Sequence, residues 1–487
     1  MTAARVEESG FSVLRNRRFL ALWIAQVVTQ VGSNMVLFGL TVEVFALTGR
    51  STSVSFLILS FLVPAVIFGA VAGVYVDRLD RRMILVVTNA LRAVMFLVLL
   101  LVQRDLGLIY MLTIAISTLT TFFGPAEAAM IPVIVSRRQL LASNSLYLFT
   151  LQASFFLGFA LLGPLVINLA GQSALLLAVA GSYVIGAVLC WTLPSHNPRI
   201  GGPNPAEALE EAGSAVASTF GQLADGLRYI LANRAIFWPL TYLAVTASLI
   251  GVLGVLGPGF ATEVLGLSER DFVVVVLPLG LGLVMGILVL NVYGGGFSRR
   301  RGIEGGLVAL GITLLALSIA QPLTRTFSLG PVISLLSVVI VVAFAAGLAY
   351  AFVAVPAQTQ LQEELPATVR GRVFGVLNML VAIASFVPII AVGPIADVVG
   401  TSLVVQGAAV ITLLIAAGSI LRARPTHDAP ASKAGLIDAA DPVSLSGRSL
   451  TTPMTLRYVD DNGGDPIEVA DAMPVIPGKP GPASEKS

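Results

Sequence analysis

The apolar positions of this chain lie in long blocks, and the polar positions gather in short stretches between them. Twelve blocks stand out, at residues 19–47, 54–76, 83–102, 107–130, 143–168, 172–193, 236–261, 270–293, 303–321, 331–355, 373–394 and 402–421. A helix needs about 20 predominantly apolar residues to cross a bilayer, so each block predicts one transmembrane helix. The fourth and tenth continue as polar helical ends past Pro132 and Pro356. Glycine and proline inside the blocks do not argue against helices, because neighbouring helices and waters satisfy the backbone groups they free.

The polar stretches repeat. Gly73-Val-Tyr-Val-Asp-Arg-Leu-Asp-Arg-Arg82 joins the second and third blocks, and a worn copy, Gly294-Gly-Gly-Phe-Ser-Arg-Arg-Arg-Gly302, joins the eighth and ninth. Glu43 to Arg50 aligns with Glu263 to Arg270 at an offset of 220, and Gly73 with Gly294 at 221. Pro125 aligns with Pro356 at 231, and Gly163-Pro164 with Gly393-Pro394 at 230. A nearly constant offset implies a duplicated body. The expected fold is all-α and polytopic, with twelve transmembrane helices in two pseudo-symmetric halves of six, a plan common among secondary transporters.

Charge placement sets the sidedness. Nineteen arginines fall in the N-terminus, the even-numbered loops and just after the last block, against Arg50, Arg104, Arg270 and Arg325 on the other side. The positive-inside rule puts both termini in the cytoplasm of a cell-membrane protein. Trp23, Trp191 and Trp238 fall at cytoplasmic helix ends, as interfacial anchors do. Residues 1–18 are polar, and the apolar run after them is too long for a signal peptide. Residues 19–193 and 236–422 form the two bundles. Between them, residues 194–235 open with prolines and glycines and continue with Phe220, Leu223, Leu227 and Leu231 on one helical face, an interfacial amphipathic helix. Residues 423–487 are rich in Pro, Gly, Asp and Ser, as disordered tails are.

Composition narrows the chemistry. The chain is 56% hydrophobic and 11% charged, where a soluble domain carries roughly a quarter charged residues. Its only lysines are Lys433, Lys479 and Lys486, its only histidines His196 and His427, and its only cysteine Cys190. A phosphate-cradling loop needs its Lys, a zinc site needs His and Cys clusters, and a Ser-His-Asp triad needs a positioned His. An enzyme is therefore not expected, nor a cofactor, a metal or a nucleic-acid partner. The expected partners are a small-molecule substrate and the lipid bilayer, joined by protons on the strength of the resemblance given below, and the expected state is a monomer.

The Gly73–Arg82 loop supports two readings. Arg78, Arg81 and Arg82 hold it at the cytoplasmic surface, and Asp77 or Asp80 suits the positive start of the third helix. Gly73 leaves room for a close helix approach. The loop also has the makings of a gate, with Asp77 exchanging Arg partners between two conformations. Here the chain resembles the major facilitator superfamily, whose cytoplasmic-loop signature matches Gly73, Asp77, Arg78, Arg81 and Arg82. The multidrug- and siderophore (enterobactin)-exporter-like branch is the nearest likeness, through Asn16-Arg-Arg-Phe-Leu-Ala-Leu-Trp23, Gly124-Pro125 with Ile131-Pro132, and Arg370-Gly-Arg-Val-Phe374. The second copy, with Gly294, Ser298 and Arg299, lacks the acid. Gly158 and Gly163-Pro164 resemble part of that family's antiporter signature; plain small-residue packing explains them equally, as it does Gly393-Pro394.

Further candidates lie within the helices. Arg92 is the one charge near the bilayer centre, either an anion-attracting or coupling group or a structural cation bonded to backbone carbonyls and Asn89. No carboxylate is expected at its depth. Glu127, Asp77 and Glu43, in that order, are the candidate proton carriers, and proton coupling itself follows from the resemblance. Gln26, Gln30, Ser33 and Asn34 form a polar stripe on the first helix. With Gln152, Asn378, Phe123 and Phe156 they outline an apolar pocket with a few polar groups, suited to amphiphilic substrates. The leading expectation is a proton-coupled exporter of amphiphilic, drug- or siderophore-like molecules working by alternating access. An uncoupled facilitator or lysophospholipid or lipid translocase keeps the fold without a titrating carboxylate, and a transporter-derived scaffold or sensor would act through its tail.

Overall fold

The computed structural model describes residues 12–102, 104–195, 228, 230, 234–293, 298–319, 335–364 and 386–421, apart from a few side chains within them. All lie in one compact unit, Met1–Arg422. Among them twelve helices follow one another and no strand occurs. The first half holds α1 (Arg17–Thr48), α2 (Ser51–Arg78), α3 (Arg81–Leu101), α4 (Leu106–Ile134), α5 (Leu140–Phe155) and α6 (Gly163–Trp191). The second holds α7 (Arg234–Gly259), α8 (Val273–Tyr293), α9 (Arg299–Ser318), α10 (Leu335–Glu364), α11 (Phe386–Val399) and α12 (Thr401–Leu421). Among the described residues ten apolar segments are long enough to cross a membrane, one of them, Arg137–Trp191, at 55 residues. That segment is two predicted spans. Helical turns of wider pitch (Phe156–Leu162) join α5 to α6, and α6 breaks at Gly171. The predicted linker helix and the Arg370–Phe374 motif lie largely or wholly outside the described residues, as does the tail.

Sequence explains where helices start. Asn16 caps α1, its Oδ1 accepting from the Arg18 and Phe19 amides, while its side-chain amide donates to the Ile134 carbonyl at the end of α4, 2.7 Å away. Asp80 caps α3 by accepting from Arg82 N at 2.9 Å, and Asp105 caps α4 through Leu108 N at 3.0 Å. Each carboxylate satisfies an orphan amide and meets the positive helix end. The turns away from these loops use backbone that only glycine adopts freely. Gly171 (φ 82°) and Gly400 (φ 90°) reverse the chain before the last span of each half, and their offset of 229 shows the repeat in the backbone itself.

Within the first half α1 and α3 pack on α6, and α2 and α3 on α4. Within the second, α10 packs on α8, α9 and α7, and α9 on α12. One end carries Arg81, Arg82, Arg137, Arg138, Arg299, Arg300 and Arg301 and is called the arginine-rich end. There the described buried hydrophobic clusters stay within a half: Phe19, Leu22, Leu85, Met130 and Ile131 in the first, and Tyr242, Ile303, Leu307, Val353 and Ala416 in the second. At the opposite, far end they cross. Phe38, Phe45, Val54 and Leu57 join Phe260, Val264, Phe272 and Val276 in one cluster, and Ile58, Leu59 and Leu62 pack on Val252, Leu256 and Ile389.

Candidate functional site

The core of the first half is built round Arg92, only 2% exposed. Its Nη2 donates to Asn89 Oδ1 at 2.7 Å, its Nε to the Thr88 carbonyl at 3.2 Å and its Nη1 to Thr120 Oγ1 at 3.3 Å. Spacings of three and four residues place Asn89 and Thr88 beside it on α3. The guanidinium lies between two rings, 4.5 Å from the centre of Phe123 on α4 and 4.6 Å from that of Tyr183 on α6. Phe96 stacks on Tyr183 at 5.2 Å. Arg92 thus touches three helices at once, α3, α4 and α6.

Glu127 follows one turn after Phe123 on α4 and is 3% exposed. Its Oε1 has no hydrogen-bond partner. It is close enough to Arg92, Tyr147 and Cys190 to act on their charge, yet no ion pair within 4.0 Å joins it to Arg92. The expectation that no carboxylate shares the depth of Arg92 is therefore corrected. Position along α4 suggested a different level, but the packing of α4 on α3 brings the two together. Glu127 is enclosed rather than open to a cavity.

At the arginine-rich end, Arg81 Nη1 donates to the Ala129 carbonyl of α4 at 3.0 Å, and the Arg82 guanidinium sits 4.8 Å from the Trp191 ring centre. Arg78 closes α2. The Asp77 side chain lies outside the described residues, as do Gly294, Asn378 and the Gln152 side chain. A Cβ at Gly73 would meet no described atom within 4 Å. Among the described residues nothing packs against Gly73 closely enough to show the approach it was expected to permit. In the second half, Ser298 precedes α9 without a side-chain cap, and Arg299 pairs with Glu363 at the end of α10. The acid absent from the loop is thus supplied by a neighbouring helix. Arg300 bonds Glu304 at 2.6 Å and the Ser419 carbonyl at 3.1 Å, and Ser419 Oγ meets the Tyr242 hydroxyl at 2.6 Å.

The cavity candidates divide. Gln26 is buried and donates to the Tyr147 carbonyl at 3.3 Å, holding α1 to α5. Asn34 donates to the Gln30 carbonyl at 2.8 Å, and both stay partly exposed. Phe123 belongs to the Arg92 cage, and the Phe156 ring fills the space over Gly280 of α8. A Cβ at Gly158 would lie 2.5 Å from the Val31 carbonyl and 2.7 Å from Asn34 Cβ, and one at Gly163 would lie 3.2 Å from Phe38 Cβ. These glycines, with the buried Pro164 after them, seat the fifth span on α1.

The far end holds a seam that sequence reasoning passed over. Asp397, at the end of α11, accepts from Ser51 N at 2.7 Å, from Thr52 N at 3.0 Å and from Thr52 Oγ1 at 2.5 Å. Ser55 Oγ donates to the Ile389 carbonyl at 2.8 Å. A Cβ at Gly393 would lie 2.6 Å from the Ser51 carbonyl, while Pro394 faces outward. Phe38 and Phe272 stack nearby, ring centres 6.2 Å apart. Glu43 lies near Arg104 and Arg270, and its repeat mate Glu263 caps α12 through Thr401 N at 3.1 Å. The usable signal was Arg50, a cation at the N-cap of α2 where an acceptor belongs.

The arrangement is that of two bundles sealed at one end, with no cluster of metal-ligating side chains among the described residues. Known proteins resemble this chain in sequence and in fold. The chain is 25% identical over 393 residues to the uncharacterized MFS-type transporter YfiS of Bacillus subtilis, covering 80% of this chain and 90% of that one. It is 24% identical over 398 residues to the multidrug efflux pump Tap of Mycolicibacterium fortuitum, covering 78% and 90%. The crystal structure of the nucleoside transporter NupG superposes with a TM-score of 0.60 at 13% identity, covering 83% of this chain and 98% of that one, a likeness of fold. Residues 22–389 match the Major Facilitator Superfamily. With twelve helices in two sealed bundles, and a family pattern running across both, this chain is a transporter of the Major Facilitator Superfamily.

Proposed function

We propose that the protein is a proton-coupled exporter of amphiphilic small molecules that works by alternating access. The observation that carries this reading is the one-sided seal. Buried clusters and cross-half hydrogen bonds tie the bundles at the far end, while the described clusters at the arginine-rich end belong to one half each. Two rigid bodies that touch at one end are half of a rocking cycle. With the arginine-rich end in the cytoplasm, the conformation opens inward, ready to load a substrate for export. Gln30 and Asn34, both partly exposed on α1, are the polar groups that meet substrate in this reading, and Asp77 belongs to the gate that closes the arginine-rich end.

Glu127 is the proton carrier in this scheme. Its Oε1 is buried without a partner, a costly state for an ionised carboxylate unless it is paired and hydrogen-bonded. Arg92 belongs to the same half and travels with Glu127, so what rocking changes in this scheme is the access of water and protons to the acid. The likeness to a multidrug efflux pump supports the export direction.

The test is purified protein in liposomes, offered amphiphilic dyes, siderophores and phospholipids with and without an imposed pH gradient. Gradient-driven dye transport that Glu127→Gln uncouples is the expected result. Transport indifferent to the gradient would overturn proton coupling in favour of a facilitator or lipid translocase. No transport of any of these, with a partner captured by the tail, would favour a scaffold or sensor.

A further inference from the structure

The start of α2 is anomalous. Its N-cap residue is Arg50, which makes no side-chain capping bond and places positive charge at the positive end of the helix dipole. The first amides of a helix have no partner within it. Here the Ser51 and Thr52 amides are satisfied by Asp397, a carboxylate 346 and 345 residues away on the other half. Both carboxylate oxygens are used, and Thr52 Oγ1 adds a third bond to Oδ2. Bonds of an ionised acceptor to backbone amides are short and strong.

We propose that Asp397 is a removable N-cap that latches the far end shut and sets the closed-to-open ratio of the two halves. The proposal rests on the alternating-access reading. When the halves part at the far end, the α2 amides lose their acceptor, Asp397 loses its helix end, and Arg50 is left with no substitute to offer. The neighbouring contacts make the latch specific to the closed state. Gly393 lets α11 approach the Ser51 carbonyl, and Ser55 bonds Ile389 one turn further along the seam. Glu263 makes the instructive contrast. It caps α12 within its own half, so that cap travels with its bundle and opposes no motion. Asp397 acts through α2 on the conformational equilibrium and is a positioning residue, touching no substrate in this account.

Losing an N-cap carries an effect of roughly 5–30-fold in an equilibrium at the stronger end of measured caps. The experiment places spin labels at Leu47 and Leu403, two exposed far-end sites on opposite halves, in a Cys190→Ser background of the full chain in liposomes. Asp397→Ala should raise the ratio of long to short label distances about 5–30-fold, and Asp397→Asn should raise it less. Adding Arg50→Ser then gives α2 a cap of its own. It should restore the melting temperature of Asp397→Ala and leave the distance ratio high, because a local cap serves both conformations. An unchanged ratio in Asp397→Ala, or a ratio returned to wild type by Arg50→Ser, would overturn the latch alone. If wild type and all variants hold only the short distance, even at low pH with an amphiphilic dye present, the latch and the rocking of the halves both fall.

Discussion

Replacing Arg92 by Met tests whether the buried cation is scaffold. Methionine keeps an unbranched apolar stem and removes the guanidinium, with its three hydrogen bonds to Asn89, Thr88 and Thr120. Two ring contacts go as well, at 4.5 and 4.6 Å, each worth up to about 2 kcal/mol when desolvated. Part of this is offset because a guanidinium no longer has to be held out of water. What is left is Glu127 without its neighbouring cation, a loss smaller than the roughly 3–5 kcal/mol of breaking a buried ion pair, since no ion pair joins the two. Glu127→Gln alone should lose less, since Arg92 keeps its neutral cage. The double variant should recover part of the loss. Its coupling is bounded at about 4 kcal/mol, the attraction of unit charges 4 Å apart at an effective dielectric of 20, because no Arg92–Glu127 ion pair lies within that distance. The assay is thermal unfolding of purified protein in detergent, run beside dye transport in liposomes. A single Arg92→Met variant that melts with wild type refutes the cage as a stabilising element. A melting point unchanged while gradient-driven transport is lost would move Arg92 from scaffold to coupling.

Other outcomes follow from particular contacts. Gly158→Val drives a branched side chain into the Val31 carbonyl and Asn34 Cβ, backbone or near-backbone atoms that cannot rotate away; a loss of about 1–3 kcal/mol is expected in thermal unfolding. Gly171→Ala meets no neighbour but forces an L residue to φ 82°, so roughly 1–3 kcal/mol should be lost through backbone strain alone. Arg299→Ala removes an exposed ion pair with Glu363, and its effect on stability should stay under about 1 kcal/mol and shrink with added salt. Asp77→Asn should slow exchange between conformations in stopped-flow transport; unchanged turnover would count against a gate at that loop.

Much of the fold was legible because a membrane leaves few choices. Every spanning backbone group must be bonded internally, so a 20-residue apolar block has one regular solution. The boundaries of α2, α3 and α12 accordingly fall within three residues of the predicted spans. The repeat was legible too, and Gly171 and Gly400 carry it into the turns. Lateral contacts were not legible. Glu127 and Arg92 sit on different helices, and nothing in hydropathy says which face of α4 meets α3. Phe123 and Phe156 have the same composition signature, yet one closes a cation cage and the other fills the space over Gly280 in the opposite half.

The sequence by itself determined the twelve-span plan, the duplication and the end where the arginines gather, since each depends on composition along the chain and on loop charge. Tertiary structure alone decided which end the halves seal, and that Asp397 rather than a local residue satisfies the start of α2. Residues 346 positions apart are joined by packing geometry, and a hydrogen bond of that range leaves no periodic trace in the chain.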